Sequence, residues 1–141
     1  MYKNIFDTHA HYEDEQFDCD RDELLSSFPE NGISGVVTCG TDIITSEKSI
    51  ALAEKYPFIY AAVGFHALNL DSLTADWRGD IKKLAAQKKV VAIGEIGLDY
   101  HYERDSREKQ LEVFDKQLVL ANELSLPGLV HDRKAHVDTL H

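Results

Sequence analysis

The sequence is poor in several things, and each shortage removes a class of function. It has two cysteines, Cys19 and Cys39, three prolines and one methionine in 141 residues. Two cysteines cannot build a disulfide scaffold, and these two form no C-x-x-C knuckle. Both are expected to be reduced, with Cys39 a buried structural thiol rather than a nucleophile. No stretch approaches the roughly 18 consecutive apolar residues of a membrane span. The opening Met1-Tyr2-Lys3-Asn4-Ile5-Phe6-Asp7 lacks the apolar core of a secretory signal, so a cytoplasmic protein is expected. Positive charge is also scarce. The net charge is −10, and the first 70 residues hold 12 acids against 4 bases. Much of the excess comes from Glu13-Asp14-Glu15 through Asp18, Asp20, Asp22 and Glu23. A face of this kind repels a phosphate backbone, which excludes non-specific duplex binding through a broad basic surface. An anion could still be held where metal ions supply the positive charge. There is no G-x-x-x-x-G-K-[ST] loop, no G-x-G-x-x-G turn and no G-x-S-x-G elbow.

What is present is a rhythm. Short β-rich runs at Asn4–Thr8, Ile33–Cys39, Phe58–Gly64, Val90–Glu95 and Gly128–His131 alternate with helical stretches near Asp20–Asn31, Thr45–Lys55, Ala75–Lys88 and Ser106–Leu124. In the last of these, Leu111, Phe114, Leu118 and Ala121 recur at spacings of three and four, predicting one apolar face. Asp105 followed by Glu108 resembles a capping box, and Pro127 lies past the end. The runs Gly35-Val36-Val37, Ile59 to Val63 and Val90 to Ile93 are almost continuously apolar, as in strands buried on both faces of a parallel sheet. One α/β domain spanning 1–141 is expected.

Seven histidines are many for this length, and their positions carry the clue. In parallel α/β folds the reactive groups gather at the C-terminal strand ends. Here every expected strand end carries a polar group: His9-Ala10-His11, Cys39-Gly40-Thr41-Asp42, Gly64-Phe65-His66, Gly94-Glu95, and Val130-His131-Asp132-Arg133. His9 and His11 are two apart, so on an extended strand both rings face one way and can share a divalent cation. An H-x-H arises readily by chance among seven histidines, so its position after the first strand is what gives it weight. Glu95, flanked by Gly94 and Gly97, could bridge two metals or simply cap a helix. His131 is a ligand or a structural hydrogen-bonder, and His66 faces substrate or a water. Arg133 suits an anionic group or a surface ion pair. Asp42 and Asp99 either orient histidines or cap helices. His101, His136 and His141 read as solvated, and Tyr100 and Tyr102 as packing or surface residues.

Together these motifs resemble the TatD-type metal-dependent deoxyribonucleases, a branch of the amidohydrolase-like barrels. The resemblance rests on Asp7-Thr8-His9-Ala10-His11, on Ala62-Val63-Gly64-Phe65-His66, and on Val130-His131-Asp132-Arg133. The most specific piece is Ala92-Ile93-Gly94-Glu95-Ile96-Gly97-Leu98-Asp99-Tyr100. It implies that His9 and His11 bind one metal, that the catalytic Glu95 bridges two, and that His131 binds the second. His66 and Arg133 would hold substrate phosphate. It also implies two divalent ions, magnesium first with manganese or zinc as alternates, and a metal-activated water that cleaves phosphodiester bonds 3′ to 5′ in single-stranded or nicked DNA. One departure is Ala67, where the family usually has proline after the histidine.

The family's fold is an eight-stranded (β/α)₈ TIM barrel of about 250 residues. A histidine on its sixth strand and an aspartate on its eighth complete its site. Five parallel strands and four helices are therefore expected here, an incomplete barrel. Its open sheet edges would invite self-association. Two other functions stay open: a related hydrolase of small amides, lactones or phosphoesters, and a catalytically inactive metal-binding or interaction fragment. No membrane partner is expected.

Overall fold

A computed structural model describes residues 3–102 and 104–141. Along the chain run β1 (Ile5–Ala10), α1 (Arg21–Ser26), β2 (Ile33–Cys39), α2 (Ile43–Lys55), β3 (Ile59–Val63), α3 (Trp77–Ala85), β4 (Val90–Asp99), α4 (Arg107–Leu124), β5 (Gly128–Arg133) and a single turn α5 (His136–Thr139). The five strands form one sheet in the order β1-β2-β3-β4-β5, and every neighbouring pair is parallel. Strand order never reverses, which distinguishes this sheet from a doubly wound one and gives the progression of a (β/α)₈ barrel.

The strands expected from apolar runs are all present, and three run past their expected ends: β1 reaches Ala10, and β4 and β5 also extend further. β4 extends through Asp99 and β5 through Arg133, because the two strands stay in register from Ile96–Val130 to Asp99–Arg133. Gly97 makes that possible. Its φ is +130°, and a Cβ there would collide with the His131 carbonyl, so a side chain would push the strands apart exactly where the fourth and fifth strand ends converge.

Leu25, Val36, Ile59, Val63, Phe65, Ile81, Ile93, Ile96, Leu98 and Leu120 form the main core between sheet and helices. Val37, Cys39, Ala62 and Ala92 make a smaller cluster, with Tyr60, Val91 and Leu129 against it. The inner strands are buried, as their sequences suggested. The outer two are not: Ile5 and Phe6 of β1 and Val130 of β5 are each 42–50% exposed. Among the described residues no strand pairs with the free edge of β1 or of β5. No described helix is long and apolar enough to cross a membrane.

Two helices, α2 and α4, begin where short polar side chains satisfy the first amide groups. Asp42 accepts from Thr45 N at 2.8 Å, and Thr45 Oγ1 returns the bond to Asp42 N, a capping box that opens α2. Asp42 is therefore a helix cap and not a partner for histidine. At α4 the cap is Ser106, whose Oγ accepts from Lys109 N at 3.2 Å. Asp105, expected in that role, instead pairs with Lys109 Nζ at 2.7 Å. The buried face of α4 also differs from expectation. It consists of Gln110, Val113, Phe114, Gln117, Leu120 and Ala121, while Leu118 is 37% exposed. Two glutamines displace leucine from the core because they complete backbone hydrogen bonds that an apolar side chain would leave broken.

Candidate metal centre

Both oxygens of one buried carboxylate are faced by imidazoles. Glu95, on β4, is 6% exposed. Its Oε2 lies 3.3 Å from His9 Nε2 and 3.1 Å from His11 Nε2. Its Oε1 lies 3.1 Å from His131 Nδ1 and 3.8 Å from His66 Nε2. His9 stands on β1 and His11 just beyond it, His66 follows β3, and His131 stands on β5. Residues more than 120 positions apart in sequence meet because a parallel sheet puts all its strand ends on one rim. Both rings of the H-x-H reach the same carboxylate oxygen.

The cluster sets its own charges. Hydrogen bonds donated to Glu13 and Glu95 outweigh burial and raise His11 to about 10. Burial opposes ionisation of Glu95. The bonds from His11 and His9 and the nearby His66 prevail, and they hold its carboxyl well below the usual carboxylate range. His66 moves the other way. Burial lowers it to about 4, so it is a neutral imidazole at neutral pH. Its Nδ1 accepts from Leu68 N at 3.1 Å, which leaves the ring proton on Nε2, facing the cluster.

A second layer holds these side chains in place. Glu13 is 4% exposed. It accepts from Thr38 Oγ1 at 2.6 Å and lies 3.1 Å from His11 Nδ1, which also sits 2.9 Å from the Cys39 carbonyl. The sequence placed Glu13 in the acidic surface run, and the structure corrects that reading: Glu13 points inward while Asp14 and Glu15 face solvent. Asp99 is fully buried. Its Oδ2 lies 3.1 Å from His131 Nε2, and its Oδ1 accepts from the backbone of His101 and Tyr102. Of the two roles open to Asp99 in the sequence, it takes that of histidine partner.

Gln117 Oε1 accepts from Phe65 N at 2.8 Å, and its Nε2 donates to Phe65 O at 2.9 Å. Gln110 clamps Asp99 in the same manner, accepting from its N–H at 2.9 Å and donating to its carbonyl at 3.1 Å. One helix thus fixes the backbone beside His66 and at Asp99. Neither glutamine nor Glu13 was found from the sequence. The usable signal was a polar residue repeated at a spacing of seven on an apolar face, and an acid two places after H-x-H.

Other candidates lie outside the cluster. Arg133 is exposed, with its guanidinium 4.8 Å over the Tyr102 ring and Nη1 3.3 Å from the Tyr102 hydroxyl. His101, His136 and His141 are exposed, and His136 pairs with Asp132. Tyr100 donates to Asp138. Burial pushes the Cys39 thiol up to about 12, so it is not a nucleophile. A cavity of about 420 Å³ opens beside the cluster, lined by His11, His66, Glu95, Thr41, Asn69 and Arg104 among others. Arg104 is a cation at this rim that the sequence reading passed over.

The donor chemistry suits a divalent ion. His9–His11–Glu95 and His66–Glu95–His131 each offer ligand atoms within 4.8 Å of one another, all imidazole nitrogen or carboxylate oxygen. The two sets share Glu95.

Comparison with known proteins agrees with this geometry. The sequence profile described as "TatD related DNase" matches residues 6–141. The chain is 40% identical over 136 residues to the uncharacterized metal-dependent hydrolase YabD of Bacillus subtilis, covering 96% of this chain and 53% of that protein. It is 35% identical over 133 residues to the 3′-5′ ssDNA/RNA exonuclease TatD of Pantoea ananatis, covering 94% and 51%. Among solved structures, the TatD homolog YJJV of Escherichia coli superposes with a TM-score of 0.87 at 31% identity, over 96% of this chain and 53% of that one. A TatD-family hydrolase from Entamoeba histolytica gives 0.88 at 25%, over 99% and 53%. The chain spans about half the length of the relatives it matches. With its strand order, its histidine cluster and its sequence in agreement, the chain belongs to the TatD-related DNase family of metal-dependent hydrolases.

Proposed function

We propose that this chain carries the metal-binding part of a two-ion phosphodiesterase that releases nucleotides from the 3′ end of single-stranded DNA. The observation that supports this reading is the division of Glu95: one oxygen faces His9 and His11, and the other faces His131 and His66. A carboxylate so placed suits a bridging role between two ions. When bound, divalent ions would neutralise phosphate oxygens and acidify a water nucleophile.

The chain's own residues have distinct tasks in this proposal. His9 and His11 hold one ion, His131 the other, and Glu95 stays an anion between them. His66 is neutral with its proton on Nε2, so it donates a hydrogen bond to a phosphate oxygen rather than repelling a cation. Arg133 approaches the phosphate from the rim. Magnesium is the ion implied by resemblance, while three imidazoles also favour manganese or zinc on donor chemistry.

The test is nucleotide release from 5′-labelled single-stranded DNA with magnesium, manganese or zinc, against chelator and a Glu95→Ala control. Amide, lactone and small phosphoester substrates are run in parallel. Metal-dependent shortening from the 3′ end, lost in Glu95→Ala, is expected. Turnover of a small substrate alone would reassign the chain to another hydrolase class. A bound ion with no turnover would make it an inactive binding fragment.

We also propose that the chain self-associates through its free sheet edges. Support comes from the exposed Ile5, Phe6 and Val130 on the two outer strands, since unpaired edges with apolar side chains recruit other strands. Sedimentation velocity should show concentration-dependent association, and a strict monomer at high concentration would refute it.

A further inference from the structure

Two of the histidines facing Glu95 do so through different ring nitrogens. His11 offers Nε2, and its Nδ1 is turned toward Glu13 Oε1 at 3.1 Å and the Cys39 carbonyl at 2.9 Å. His131 offers Nδ1, and its Nε2 is turned toward Asp99 Oδ2 at 3.1 Å. Each back-side partner is an acceptor, so each back-side nitrogen carries a proton. Both carboxylates are buried, Glu13 at 4% exposure and Asp99 at 0%. Burying a carboxylate is costly unless it is hydrogen-bonded, and the bonds made here are to a metal-site histidine plus one local anchor. For Glu13 the anchor is Thr38 Oγ1 at 2.6 Å, and for Asp99 it is the N–H groups of His101 and Tyr102.

We propose that Glu13 and Asp99 are positioning residues that hold the back-side protons of His11 and His131 in place, so that a divalent ion displacing the front-side proton meets His11 at Nε2 and His131 at Nδ1. The proposal rests on the metal-site reading above and adds which atom of each ring binds and what enforces it. It also explains why Gln110 grips the Asp99 backbone on both sides: a shift of that backbone would move the acceptor that holds the back-side proton of His131.

Asp99→Asn gives the sharpest test. Oδ1 is already fixed by the two backbone N–H donors, so the new amide NH₂ must stand where Oδ2 stood and face His131. An NH₂ cannot accept from Nε2–H. The ring therefore gives up its Nε2 proton and keeps a proton on Nδ1 toward Glu95, where it opposes an incoming ion. For Glu13, a graded pair separates acceptor from charge. Glu13→Gln keeps a neutral acceptor, whereas Glu13→Leu leaves His11 only the Cys39 carbonyl. Thr38→Val, which frees Glu13 from its anchor, is the milder variant should Glu13→Leu fail to fold.

The readouts are zinc affinity by isothermal titration calorimetry and long-range ¹H–¹⁵N spectra of the histidine rings in the intact chain. In wild type with zinc, His11 should ligate through Nε2 and His131 through Nδ1. In metal-free protein at pH 8, His131 should keep a proton on Nε2 in wild type and lose it from Nε2 in Asp99→Asn. Zinc affinity should fall about 10- to 100-fold in Asp99→Asn and Glu13→Leu, and less in Glu13→Gln and Thr38→Val. Lower thermal stability with unchanged affinity and unchanged ring protons would reduce both carboxylates to structural residues and overturn the proposal. So would zinc ligation by both rings through the same nitrogen. If wild type binds no zinc, the metal reading fails by itself, and the metal-free His131 Nε2 proton in wild type and Asp99→Asn still decides the positioning role.

Discussion

Replacing Gln117 by methionine should destabilise the protein far more than its place on a surface helix suggests. Methionine has nearly the same volume and shape, so the cavity contribution is small. What changes is bonding. The N–H and C=O of Phe65, a residue 1% exposed, lose their side-chain partners at 2.8 and 2.9 Å. A buried backbone group left unsatisfied costs about 1–3 kcal/mol, so two cost about 2–6 kcal/mol together. For a chain of this length about 4 °C of Tm accompanies each kcal/mol, giving a drop of roughly 8–24 °C. Urea unfolding followed by circular dichroism measures it, with Val119→Gln as the control. Val119 lies on the same helix at 50% exposure and should change stability by no more than about 0.5 kcal/mol. A loss below about 1 kcal/mol in Gln117→Met, with the m-value unchanged, would show that the Phe65 backbone finds other partners and that α4 is not the clamp inferred here.

Three other perturbations test separate parts of the structure. Gly97→Ala, at φ +130° against the His131 carbonyl, should cost roughly 3 kcal/mol in urea unfolding and weaken zinc binding by displacing β5; a loss under about 1 kcal/mol would mean the strands tolerate separation there. In chelator-treated protein, stability should fall as pH drops from 6.5 to 4, by up to about 3 kcal/mol from His66, because the unfolded chain takes up that proton first while the folded ring holds out to about 4. Glu95, whose folded carboxyl is depressed, acts in the same direction as pH falls. His11 adds no slope below 6.5, since both states are protonated there, and lowers stability only as pH rises toward 10; unfolding curves unchanged between pH 6.5 and 4 would contradict the burial argument. Native protein should titrate one thiol with Ellman's reagent, the exposed Cys19, and two after denaturation, because Cys39 is buried with its thiol pushed up to about 12.

Residues that act through their own chemistry were readable from the chain. His9, His11, Glu95 and His131 stand at the ends of apolar runs, and a parallel sheet leaves the ends of its strands nowhere else to go than one rim. Residues that act through another residue were not. Glu13 sits in an acidic stretch whose other members face water, and nothing local distinguishes the one that folds back on Thr38. Gln110 and Gln117 break an apolar pattern, and a periodicity count prefers Leu111 and Leu118 in their place. The preference fails because hydrophobic burial is roughly proportional to area and has no direction, whereas a strand end that stops short of its neighbour needs directed donors and acceptors.

The sequence by itself therefore determined the alternation of strand and helix, the parallel sheet, the family and the ligand-type residues, since each rests on local periodicity or on a motif contiguous in the chain. The tertiary structure alone decided three things. These are which oxygen of Glu95 each histidine faces, which nitrogen of His11 and His131 is turned toward it, and that the outer strands carry exposed Ile5, Phe6 and Val130. All three depend on contacts between segments far apart in the chain, whose distances and angles are set only when the sheet and its helices pack.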